Sequence, residues 1–230
     1  MHYAKTIATT IAKTTATPDG HSYVVGKVVC VGRNYAEHAR ELNNPVPAEP
    51  LWFIKPGSCI VPMQDSIRIP RGRGSCHHEL EVAILIGERL CGADTSAVQH
   101  AIAGVGLALD LTLRDVQASL KEKGHPWEIA KAFDGSCVLS DFLPPNTFED
   151  LQRIEFSLAV NGTVRQNGST SQQLFPVLSL LSIASTHFTL EPGDVLLTGT
   201  PAGVAALAAG DELCARLGDA LVCKLSVAAT

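Results

Sequence analysis

Long apolar runs are missing from this chain of 230 residues; nothing in it approaches the ~18 consecutive apolar residues of a membrane-spanning helix. Clusters of positive charge are missing too. Lysines and arginines stand in groups of two or three at most, and the net charge is −5. A nucleic-acid surface needs a basic stripe, so neither a membrane nor a nucleic acid is expected as a partner. The cysteines, at 30, 59, 76, 91, 137, 214 and 223, include no C-x-x-C pair. Their odd count and wide spacing argue against a disulfide framework or a zinc ribbon, and for a reducing, cytoplasmic setting. His77 stands next to Cys76, and the others have no histidine beside them; all read as small apolar filler. Residues 1–25 lack both the apolar core of a secretory signal and the arginines of a transit peptide, and read as a leading strand or a loose arm. No internal repeat or low-complexity linker divides residues 26–230, which are expected to form one domain.

What is present is a series of short strand signals. "GKVVCVG", "LWFIKPG" and "VAILIG" are buried strands, and "IEFSLAVNGTVRQ" is a hairpin around Asn-Gly. "GDELCARLGDALVCKLSV" is a second hairpin. "YAEHAREL", "LRDVQASLKEKG" and "FPVLSLLSIASTHF" have helical character. Strands outnumber helices and come mostly as hairpins, which favours a β-rich α+β fold over a Rossmann or TIM architecture.

The chemistry gathers in acids that sit at the ends of apolar runs. Glu79 and Glu81 flank one leucine at the head of "VAILIG". In a strand, residues two apart share a face, so two carboxylates would lie a few ångströms apart. Such a pair needs a cation between its members, either Lys, Arg or a metal. All-oxygen ligation suits Mg²⁺, Mn²⁺ or Ca²⁺. Asp110 ends another apolar run and would complete a three-carboxylate site, or would cap the helix that follows it. His77 and His78 either orient a glutamate or merely open the strand. His38 and Glu41 are three apart on a short helix, a spacing that serves a general-base pair or a solvated helix face. "TGTPAG", 198–203, offers hydroxyls and backbone N–H groups to a carboxylate, though such turns are common.

Seven stretches in order, "VVCVGRNYAEHARE", "FIKPGS", "HHELEVAILIG", "ALDLTLRDVQ", "GHPWEIAKAFD", "VNGTVRQNGST" and "GDVLLTGTPAGV", resemble successive motifs of the fumarylacetoacetate hydrolase family. The acylpyruvate hydrolases are the branch the chain resembles most. The resemblance implies a mixed β-sandwich roll, a homodimer, and Mg²⁺ or Mn²⁺ held by Glu79, Glu81 and Asp110. It implies that His38 and Glu41 activate water on a lid helix, and that Lys131 is catalytic. Gln117, Thr200, Arg33 and Arg114 fall at substrate-binding positions. The leading expectation is hydrolysis of acylpyruvates to pyruvate and a carboxylic acid. The alternative is oxaloacetate decarboxylation or keto–enol tautomerisation, or an isomerase or decarboxylase step of aromatic catabolism, at the same site. Two stretches depart from the family pattern: "AGVAALAAG" after "TGTP", and Val138 where proline is common.

Overall fold

Burial along the strands shows what the fold must supply. In Lys27–Gly32, Val29 and Val31 face one apolar cluster while Val28 and Cys30 face another. Leu80–Ile86 splits in the same way, with Val82, Ile84 and Ile86 on one side and Ala83 and Leu85 on the other. A sheet that is apolar on both faces must be covered on both. The computed structural model, which describes residues 14–16 and 22–228, does this with a mixed seven-stranded sheet. Its strands run in the order Leu51–Pro56, Lys27–Gly32, Val195–Leu197, Leu80–Ile86, Ile102–Asp110, Cys137–Leu139, Ile60–Pro62. Two of the pairings are parallel, Val195–Leu197 with Lys27–Gly32 and Cys137–Leu139 with Ile60–Pro62.

The two outermost strands are consecutive in the chain, joined only by the short turn Gly57–Cys59. A linker of that length reaches at most about 14 Å. A flat seven-stranded sheet would hold its edges roughly 29 Å apart. The sheet therefore curls until its edges meet, which is the expected roll. Its inner cluster holds Cys59, Ile60 and Phe142 together with Val28, Leu85 and Val195. The outer cluster is shared with a five-stranded sheet, through Phe156, Leu158, Leu213 and Leu217, and with the Val177–His187 helix, through Leu180, Leu181 and Ala184.

The expected hairpin around residue 161 is present: Asn161 and Gly162 both have positive φ, at 51° and 77°, between Glu155–Val160 and Thr163–Ser169. Thr14–Ala16 pairs with Ser22–Val24 as a leading two-stranded sheet, and residues 1–13 and 17–21 of the expected arm lie outside the described residues. Asp110 does not cap the helix that follows; Leu113 holds that position for Arg114–Glu122, and Asp110 belongs to the strand. Val138 sits fully buried in a central strand, where its backbone N–H is available to the ladder as a proline's would not be. The departing stretch "AGVAALAAG" forms the strand Ala205–Ala206, which pairs with Cys76–His78, and buries Leu207.

Candidate active site

Strand register brings the chemistry to one end of the roll. Leu80 is opposite Leu109, Leu197 is opposite Ala83, and Leu197 also pairs with Cys30. The start of one strand and the ends of three others therefore lie together. Glu79, Asp110, the "TGTP" turn and the chain leading to the Ala36–Glu41 helix all emerge there. Glu79 is not in the same strand as Glu81, because the ladder breaks at residue 79 between Cys76–His78 and Leu80–Ile86. The two carboxylates nevertheless converge. Glu79, Glu81 and Asp110 are all buried, and each offers an oxygen within 4.8 Å of the others. Three hard oxygen donors at that spacing fit a Mg²⁺- or Mn²⁺-sized cation.

The basic groups around these acids are unevenly shared. Lys131 Nζ donates to Glu79 Oε2 at 2.8 Å, Asp110 Oδ2 at 2.5 Å and Thr112 Oγ1 at 2.7 Å. Arg114 pairs with Glu79 and donates to Gln117 Oε1 at 2.7 Å. Burial alone would raise the pKa of Glu79, but Lys131 and Arg114 outweigh it and hold the carboxyl well below the usual range. Burial opposes the charge on Lys131 too, and Asp110 and Glu79 overcome it, so the ammonium stays charged. Glu81 has no such partner. Its Oε2 accepts one backbone hydrogen bond, from Gly199 N at 2.6 Å. Burial, then Asp110 and Glu79, push its pKa well above the ordinary value. Glu81 is thus the carboxylate whose charge the protein itself leaves least balanced, with no ion pair of its own among the described residues and only Lys131 opposing the repulsion.

Lys55, to which the sequence reading assigned no role, is fully buried behind the site. Its Nζ donates to Ser136 O at 2.9 Å and to Lys131 O. It lies 2.8 Å from Asp110 Oδ1, as an ion pair outside hydrogen-bond alignment. Burial lowers its pKa and Asp110 raises it further, leaving it charged. In metal-free protein, Lys55→Met should cost roughly 3–5 kcal/mol, because it strips a buried carboxylate of a cation. Urea unfolding checks this, and an unchanged midpoint would mean that Lys131 alone neutralises Asp110.

His38 is buried, with Nδ1 3.5 Å from Glu41 Oε2. Glu41 also accepts from Gly203 N with both oxygens, at 3.0 and 3.1 Å. One carboxylate thus stands beside the imidazole, outside hydrogen-bond alignment with its Nδ1, and ties its helix to the loop after "TGTP". Gly203 is required there: its φ is +97°, and a Cβ would sit 1.9 Å from Arg165 O. Burial lowers the His38 pKa more than Glu79 and Glu41 raise it, so the ring is neutral at neutral pH. Asn34, also unassigned by the sequence, fixes the base of this helix. Its amide bonds Thr198 O at 2.8 Å, Phe175 O at 3.1 Å and Phe175 N at 2.8 Å.

His38, Glu79, Glu81, Asp110, Lys131, Gln117, Thr200, Arg33 and Arg114 line one pocket, and Glu41 stands behind His38. Thr200 gives its hydroxyl proton to Leu80 O and accepts from Gln166 Nε2, so that proton is already committed within the protein. His78 contacts Gln166 Oε1 at 2.9 Å rather than a glutamate, and Gln166 also accepts from Leu80 N. It clamps the strand entry. All seven cysteines are free, and burial raises the thiol pKa of Cys30 and Cys137, which fits the filler reading.

A buried three-carboxylate centre able to hold a metal ion, with a charged lysine and a neutral histidine at the open end of a β-roll, has the make-up of an enzyme's active site. The chain belongs to the fumarylacetoacetate hydrolase family: the family model "Fumarylacetoacetate (FAA) hydrolase C-terminal" matches residues 27–228. It is 52% identical over 192 residues to oxaloacetate tautomerase YcgM of Escherichia coli, covering 83% of this chain and 88% of that one. It is 41% identical over 200 residues to the mitochondrial oxaloacetate tautomerase FAHD1 of Bos taurus, covering 87% and 90%. Among solved structures, fumarylpyruvate hydrolase from Pseudomonas aeruginosa, in complex with Mn²⁺ and pyruvate, superposes with a TM-score of 0.89 at 32% identity, covering 94% of this chain and 96% of that one.

Proposed function

We propose that this chain is a divalent-metal-dependent oxaloacetate tautomerase, interconverting the keto and enol forms. The observation that carries the reading is one pocket that holds three hard oxygen donors beside a neutral histidine. The relatives at 52% and 41% identity, both oxaloacetate tautomerases, support it and favour it over acylpyruvate hydrolysis.

Glu79, Glu81 and Asp110 would hold Mg²⁺ or Mn²⁺, and Ca²⁺ would also suit the donor set. When bound, the ion supplies Lewis-acid polarisation of the 2-oxo group and positive charge for its enolate. Lys131 adds a fixed ammonium to the same wall. Gln117, Thr200 and Arg114 orient the 2-oxo carboxylate, and Arg33 serves the rest of the substrate. His38, with Glu41 beside its Nδ1, presents Nε2 to the substrate. In the keto-to-enol direction it removes a C3 proton and the enolate oxygen takes up one proton, from the imidazolium or from water; in reverse the oxygen gives up its proton and His38 returns one to C3. The working unit is a homodimer in a reducing compartment, with a sizing measurement expected to give twice the chain mass.

Acylpyruvate hydrolysis remains the second reading. The His38–Glu41 pair would equally activate water, and the Pseudomonas aeruginosa structure supports it. A panel of oxaloacetate, acetylpyruvate and fumarylpyruvate, each with Mg²⁺ and Mn²⁺, separates the two. Tautomerisation of oxaloacetate should exceed cleavage of either acylpyruvate by at least about tenfold in kcat/KM. The opposite order would make the chain a hydrolase.

A further inference from the structure

The rim of the pocket carries more positive charge than the described residues balance. Arg33, Arg114 and Lys121 all line it. Arg114 is engaged with Glu79 and Gln117. Neither Arg33 nor Lys121 has a carboxylate within ion-pair distance among the described residues. Lys121 instead donates to the side-chain oxygen of Asn44 at 2.8 Å. That bond stretches from the Arg114–Glu122 helix to the segment after the His38 helix, and holds the ammonium over the pocket. Partial burial, Arg33 and Arg114 all work against the charge on Lys121. Arg33 has φ +61°, a strained conformation for any residue but glycine. Two cations without a carboxylate partner, held beside Arg114, make an anion site, and strain kept at a pocket wall accords with a binding role.

The carboxylate triad fixes the other end of the ligand. A 2-oxo acid directed to the triad by its carbonyl and adjacent carboxylate leaves its far end toward the rim. We propose that Lys121, positioned by Asn44 and backed by Arg33, recognises the far carboxylate of a four-carbon 2-oxo dicarboxylate. This rests on the 2-oxo acid reading above and names the group that sets its substrate class. Leu42, Phe53 and Trp127 also line the pocket, so an uncharged acyl end would meet an apolar wall as well. Lys121 decides between the two.

Oxaloacetate and its 4-methyl ester share the 2-oxo acid end and differ in the far group, a carboxylate in one and a neutral ester in the other. With the Mn²⁺-loaded protein, the ester should show a KM about 10- to 100-fold higher, as expected for loss of a charge-assisted hydrogen bond. Lys121→Met should raise the KM for oxaloacetate by about the same factor, with kcat within about threefold and the ester unaffected. Lys121→Arg should keep most of the preference. Lys121 is exposed, so the fold tolerates these changes. Equal KM values for acid and ester in the parent protein, or undiminished discrimination in Lys121→Met, would overturn the proposal. If neither compound is turned over, the tautomerase reading fails, and calorimetry with the 3,3-difluoro analogues, which have no C3 proton to lose, still decides the point. Tighter binding of the diacid, lost in Lys121→Met, would sustain it; equal binding of acid and ester would overturn it.

Discussion

Glu81→Gln should abolish metal-dependent turnover, lowering it by at least ~10³-fold, because the Lewis-acid contribution of a bound ion is worth several kcal/mol. The size of this effect follows from how charge is shared among the three carboxylates. Glu79 has Lys131 and Arg114, and Asp110 has Lys131 and Lys55. Glu81 has a backbone N–H and two like-charged neighbours. Its ionised form is the one that a divalent cation stabilises most. The amide is close to isosteric, so the variant should fold. It also removes a repulsion from the metal-free protein, whose thermal midpoint should therefore be unchanged or higher. Calorimetric titration with Mn²⁺ and a melting curve check both halves. Full turnover by Glu81→Gln in the presence of chelator would remove the metal from the account.

His38→Ala is the second large effect. Loss of a positioned general base costs about 10²- to 10⁴-fold, and kcat should carry the loss with little change in KM. Glu41→Gln keeps the ring but removes the charge beside it, so a smaller drop is expected. The pH dependence has a definite sign. Burial lowers the His38 pKa, so the ring remains a neutral base below the ordinary imidazole value of 6.5. Activity should therefore hold as pH falls through 6.5 and decline only below it. Any cation bound at the neighbouring carboxylates pushes the same way. An acid limb centred above 6.5, lost in His38→Ala, would contradict the assignment.

The triad was legible because local pattern carries it. Acids at the ends of apolar runs are conspicuous whether or not the strand is continuous, and here it breaks at Glu79 without moving the carboxylates apart. The His38–Glu41 pair was legible for the same reason, being one helical turn. Lys55 was not. "LWFIKPG" announces a strand, but its ammonium is satisfied by Asp110, Lys131 and Ser136, all more than fifty residues away, and no local spacing encodes that. Lys121 is, by local pattern, one more charge on a helix face; only its bond to Asn44 and the absence of an acid partner among the described residues set it apart. The hairpins were read correctly from turn residues. The curl of the large sheet was not read directly, since it follows from which strands become its edges.

The central claim is that this pocket, loaded with a divalent ion, moves a proton between the carbon and oxygen of oxaloacetate. Following the ultraviolet absorbance of enol-oxaloacetate, with pyruvate and carbon dioxide measured in parallel, tests it most directly. The account predicts rapid loss of the enol signal with Mg²⁺ or Mn²⁺, a return to the background rate with chelator or in Glu81→Gln, and no matching release of pyruvate. Enol decay at the background rate with metal present, while acetylpyruvate is cleaved, would contradict it.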